Sequence, residues 1–250
     1  MMISIIAFFL VFTIIILVHE LGHFIAARKA GIKVYEFSIG FPFSPKVFTL
    51  FRHKETEFTL RLLPLGGFVS FSKDSDEDAK ELFEASYFKR ASIMSAGSLF
   101  NITFAFLVFI PVFAFGKHIP FIDAIMSSIQ TLWAILSGTL IFLFNLLSGN
   151  SSMEGLAGPV GIASMAGQAA SKGFLNLLYF IGMLSMSLGI MNLLPLPALD
   201  GGQLFMLFIE ATRRRPLSVK TYQIVNLFGL SLFVILTVLV TYRDIVRLIA

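Results

Sequence analysis

Residues 3–27 form an apolar run long enough to cross a bilayer core of about 30 Å at about 1.5 Å per residue, yet it is interrupted by His19, Glu20 and His23. An ionisable side chain inside such a segment costs roughly 2.5–3.5 kcal/mol on insertion scales, so three together need a compensating purpose. On a helix, positions four apart share a face about 6 Å apart, which places both imidazoles where one metal ion can be gripped. His19-Glu20-Leu21-Gly22-His23 is therefore an H-E-x-x-H pattern, the two-histidine zinc signature of a hydrolase, in an unexpected apolar setting.

The composition supports a membrane setting. Apolar residues make up 56% of the 250 and charged residues only 14%, against about 25% charged in a soluble domain, which points to a polytopic membrane protein. With no cysteine, disulfides and thiolate ligands are excluded, so a metal must be held by His, Asp or Glu. The net charge of +4 sits beside apolar spans and does not point to a nucleic-acid partner. The N-terminal stretch has no basic n-region and no small-residue cleavage site, and it is read as a retained span.

The sequence predicts an all-α polytopic fold forming one domain over residues 1–250. It has about four transmembrane helices, at residues 3–27, 91–115, 174–194 and 221–241. Between the first two, residues 34–71 alternate Tyr35, Phe37, Ile39 and Phe41 against Glu36, Ser38 and Gly40. With prolines and Gly66-Gly67 as punctuation, they read as a small antiparallel β region against the membrane. Residues 73–84 are acidic and read as a solvated segment, without the glycine of a calcium loop. Gly97 and Asn101 mark an inward face of the second span. Residues 149–173 read as a loop of small residues containing Gly158-Pro159. Leu204 to Glu210 continues a broken helix beyond the third span.

Charge asymmetry sets orientation. Lys and Arg number eleven from Arg28 through Arg90 and four from Arg213 through Lys220, but two from Lys117 through Lys172 and two at Arg243 and Arg247. Under the positive-inside rule, four spans put both termini outside. If residues 123–147 also crossed, Asp200 would fall at the opposite face from His23, so that stretch is predicted to be a re-entrant or interfacial helix on the external side.

Catalytic zinc commonly takes three protein ligands and leaves a position for water. Asp200, after a proline-broken turn at the same face as the histidines, is the best third ligand. Its other reading is a helix cap, and Glu210 is a more distant competitor. Two neutral histidines, one aspartate and Glu20 would make a zinc cluster neutral, with Glu20 as the base. His53 and His118 read as interfacial, and Trp133 and Tyr179 as packing residues.

Together these residues resemble the site-2 protease family of intramembrane zinc metalloproteases, in its bacterial branch related to the regulator of sigma-E protease. The resemblance rests on H-E-L-G-H, Gly66-Gly67-Phe68-Val69, the span from Gly97 to Asn101, Gly158-Pro159 and Asn192-Leu193-Leu194-Pro195-Leu196-Pro197-Ala198-Leu199-Asp200-Gly201. It implies one Zn²⁺ held by His19, His23 and Asp200, with Glu20 catalytic. It also implies that Asn192 and Asn101 serve substrate binding, and that the β region with Gly66, Gly67, Phe68 and Val69 receives the substrate as an added strand. The implied partners are the lipid bilayer and a transmembrane protein or peptide, cleaved in a bacterial inner membrane. Two departures stand out: Gly97-Ser98 replaces the Gly-Pro frequent in relatives, and residues 116–121 leave no room for the PDZ domain usual between spans two and three. Two readings from other classes are a metal transporter using the same three ligands and a non-catalytic membrane scaffold.

Overall fold

The computed structural model describes residues 2–41, 44–63, 66–72, 80–150 and 157–249. Helix α1 (Met2–Ala30) runs unbroken through the histidine motif. It stops in a Schellman turn: Ile32 N–H donates to the Ala27 carbonyl at 3.0 Å and Gly31 N–H to the Arg28 carbonyl at 3.2 Å. Gly31 takes the left-handed backbone this turn requires, with φ of 78°. Arg28 and Lys29 occupy the last turn, where cations suit the carbonyl end of a helix.

Four strands follow, β1 (Glu36–Ile39), β2 (Lys46–His53), β3 (Thr56–Arg61) and β4 (Gly67–Ser70), in the order β2-β3-β1-β4. The expected wholly antiparallel arrangement is corrected: β2–β3 and β1–β4 are antiparallel, but β1 pairs with β3 in parallel, from Glu36 opposite Glu57 to Ile39 opposite Leu60. Alternation in sequence reports which face a side chain takes, whereas direction depends on which strands become neighbours. Phe37 and Phe58 meet Phe24 of α1 edge-on at 5.6 and 5.7 Å, which fastens the sheet to the helix carrying the motif. At the far side β2 is exposed throughout, and Val47, Phe48, Leu50 and Phe51 are bare apolar surface. There Glu57 takes both Lys46 and Arg52, and the hydrogen bond from Lys46 is the main influence holding its carboxyl below the usual range.

The rest is helical: α2 (Lys80–Phe83), α3 (Tyr87–Gly116), α4 (Phe121–Leu147), α5 (Pro159–Ser171), α6 (Phe174–Leu193), α7 (Asp200–Arg213) and α8 (Val219–Ile249). Most of the acidic stretch, residues 73–79, lies outside the described residues; beyond it Glu81 pairs with Lys33 at 3.1 Å. Helix α3 is central and packs antiparallel to α1 and α6. Phe109 lies on Gly182, and Ser98 and Asn101 lie on Gly189. These closely fitted small residues are what membrane helices use in place of a hydrophobic driving force.

One expectation changes here. Residues 159–171, read as loop, form α5, with Gly158 as cap and Pro159 where a helix tolerates its missing N–H. The small residues mistaken for loop let α5 lie against α1, with Gly167 close to Ser4. Helix α4 is uninterrupted and packs along α3 and α6 through Ala124, Leu132 and Leu136. Among the described residues five helices, α1, α3, α4, α6 and α8, are long and apolar enough to cross a membrane, and a count of four does not follow.

Leu175 at the start of α6 lies 3.7 Å from where a Cβ on Gly116 would be, so α6 begins at the face where α3 ends, whatever α4 does between them. At the same face α5 touches both ends of the bundle, Ser4 of α1 and Asp244 of α8, whose carboxylate accepts the Gly161 N–H at 2.8 Å. The opposite face is closed by Arg90, which donates to Glu210 at 2.7 Å and to the Tyr222 hydroxyl at 3.0 Å, tying α3 to α7 and α8.

Candidate metal centre

Helix period delivers the first two side chains. His19 and His23, one turn apart on α1, place their Nε2 atoms 3.1 Å from each other. Asp200 enters from the first turn of α7, with Oδ2 at 3.1 Å from His19 Nε2 and 3.4 Å from His23 Nε2. Its placement depends on the broken segment before it. Ala198 adopts a left-handed φ of 69°, uncommon for a residue with a Cβ, and Leu199 N–H returns to the Leu196 carbonyl at 3.3 Å. The loop folds so tightly over α7 that a Cβ at Gly201 would sit 2.2 Å from the Leu194 carbonyl oxygen.

The donor chemistry fits a cation. His23 Nδ1 lies 2.7 Å from the Ile93 carbonyl, so this nitrogen carries the proton and Nε2 presents a lone pair. The His23 lone pair and the Asp200 carboxylate then converge beside the His19 imidazole, and Asp200 Oδ2 is buried without a hydrogen-bond partner among the described residues. Adjacent ligands of a tetrahedral zinc with bonds of about 2.0–2.1 Å are separated by about 3.3 Å, which is the spacing seen here. The space is kept open by α3, where a Cβ on Gly97 would lie 2.4 Å from His23 Nε2 and 2.8 Å from His19 Nε2. Among the described residues this is the one group of three or more such side chains that could hold a metal.

Glu20 lies on the flank of α1 that faces the sheet. Its Cγ is 3.2 Å from the position of a Cβ on Gly67, and the Val69 backbone N–H is directed at its carboxylate. Phe68 neighbours both on β4, and Gly66 precedes the strand with φ of 116°. Asn192 is half-buried in the last turn of α6. Asn101 is fully buried with its carboxamide against His19, a position closed to a bound peptide and unlike the role expected from the resemblance. His53 and His118 are exposed and apart, and Glu210 is occupied by Arg90 rather than competing for metal.

Comparison with known proteins turns this geometry into a family assignment. The model described as peptidase family M50 matches residues 7–236. The chain belongs to peptidase family M50. Within it, a protein of Clostridium perfringens strain 13, provisionally named as a zinc metalloprotease, is 30% identical over 95% of this chain and 97% of its own length. The zinc metalloprotease RasP of Bacillus licheniformis is 25% identical over 98% of this chain and 99% of its own. The regulator of sigma-W protease RasP of Bacillus subtilis is 38% identical over 54% of this chain and 33% of its own. The first two alignments run over 327 and 418 positions, so these M50 relatives carry inserted sequence absent here. This M50 peptidase is a site-2 protease, a zinc metalloendopeptidase of the membrane.

Proposed function

We propose that His19, His23 and Asp200 hold a single zinc ion and that Glu20 is the catalytic acid–base of an endopeptidase cutting single-span membrane proteins or remnant signal peptides in or near the bilayer. The observation that carries this reading is the convergence of three ligand atoms, all within 4.8 Å of one another, from helices remote in sequence. Zinc bound there supplies Lewis acidity, lowering the pKa of water toward about 7 and polarising a carbonyl. Glu20, beside the ligands and open toward β4, accepts the proton of the attacking water and returns it to the departing amide nitrogen.

A transmembrane helix hides its peptide bonds in its own hydrogen bonds, so a substrate has to be unwound and held extended. Among the described residues strand β4 is the edge strand of the sheet, next to Glu20. The Gly40 N–H to Gly66 carbonyl bond and the β1–β4 register turn the backbone groups of Gly67 and the Val69 carbonyl outward, where an added strand could pair, while the Val69 N–H reaches Glu20. Phe68 and Gly66 belong to that edge, and Asn192 takes the substrate-orienting role that the family resemblance implies. The basic residues before α3 and after α7 favour a cytoplasmic position for that face, with both chain ends external in a bacterial inner membrane. A metal transporter would have no use for Glu20.

Cleavage of single-span peptides by purified protein in liposomes tests this reading. Glu20→Ala is expected to keep zinc and lose cleavage; cleavage by that variant, or zinc flux without proteolysis, would exclude the assignment.

A further inference from the structure

Both histidines are gripped from behind by one stripe of α3. Ile93, Gly97 and Asn101, spaced four apart, meet the antiparallel α1 in turn: a carbonyl for His23, an opening for the metal, and a carboxamide for His19. The carboxamide is the informative member. Its Nδ2 lies 3.4 Å from His19 Nδ1, while its Oδ1 is buried with no hydrogen-bond partner. If His19 directs the Nε2 lone pair at the metal, its Nδ1 carries the proton, and an NH₂ group facing that N–H sets donor against donor. Oxygen and nitrogen of an amide are distinguished by their network rather than by their shape. Turning the carboxamide by half a turn brings Oδ1 to the imidazole N–H.

We infer that Asn101 is the positioning residue of His19, accepting its Nδ1–H through the carboxamide oxygen and so directing Nε2 to the metal. This rests on the ligand set proposed above. The residue is well placed to do so, being fully buried, and Ser185 of α6 donates its hydroxyl to the Asn101 carbonyl at 2.9 Å, holding the backbone that carries the amide.

The experiment measures zinc retention against a competing chelator, together with the visible spectrum of the cobalt(II)-loaded protein, for wild type, Asn101→Leu, Asn101→Asp and His19→Ala. Asn101→Leu should weaken zinc binding about tenfold to a hundredfold and alter the cobalt bands, while Asn101→Asp, which keeps an acceptor oxygen, stays within about threefold of wild type. Equal zinc affinity in Asn101→Leu and wild type, or equal loss in Leu and Asp variants, overturns the inference. If Asn101→Leu does not fold, nitrogen-15 histidine NMR of zinc-loaded wild type decides: a proton on His19 Nδ1 supports the inference, and its absence overturns it. Undiminished zinc in His19→Ala would instead sink the ligand set itself.

Discussion

Arg90 and Glu210 meet at 2.7 Å with their side chains only 3% and 1% exposed, 120 residues apart in the chain. Glu210 spends its other oxygen on the Leu217 N–H at 2.8 Å, so the pair fixes α3, the end of α7 and the turn into α8 together. Because Asp200 begins α7, this contact also sets the helix that delivers the third ligand. Removing either partner strands a buried charge. Glu210→Leu or Arg90→Leu should each destabilise by about 3–5 kcal/mol, and the double Leu variant should recover much of that loss. Thermal unfolding in detergent measures both.

Between Gly97 and the two imidazoles there is no room for a side chain at position 97. Gly97→Ala puts a methyl group 2.4 Å from His23 Nε2, where the metal's ligands converge. Elemental analysis should find its zinc content cut severely, with cleavage reduced at least about a hundredfold. Helicity should change little, since alanine is the better helix former.

Gly67 gives a contrasting result. A Cβ there would be 3.0 Å from the Ser38 carbonyl oxygen and 3.2 Å from Glu20 Cγ, so Gly67→Val pushes β4 away from the base without touching a metal ligand. Zinc should stay at wild-type stoichiometry while kcat/KM falls about tenfold or more, as expected when a reacting group is displaced. Zinc loss in this variant would contradict that separation.

Asp244 caps α5 from another helix through the Gly161 N–H. Asp244→Ala should cost about 0.5–2 kcal/mol, the usual worth of such a cap, and Asp244→Asn, which keeps an acceptor, clearly less. Limited proteolysis of the junction before α5, with thermal melts, reports the difference.

Much of the site was legible in the chain because its rules are local. Helical period places His19 and His23 on one face, a Pro-broken segment ahead of Asp200 marks where a membrane helix opens, and apolar length marks the spans. Residue type misled where packing decides form. The small residues of α5 read as loop because glycine and alanine are common to turns and to close helix contacts.

What the sequence determined alone was the H-E-x-x-H spacing of His19, Glu20 and His23 and the membrane setting. Only the tertiary structure decided what stands behind them: Ile93 against His23, Asn101 against His19, Arg90 against Glu210, β4 beside Glu20 and β3 parallel to β1. The reason is physical. Spacing along a helix or strand is written in consecutive residues, whereas a contact across 70 to 120 residues exists only once helices have packed closely enough to bring those backbones together.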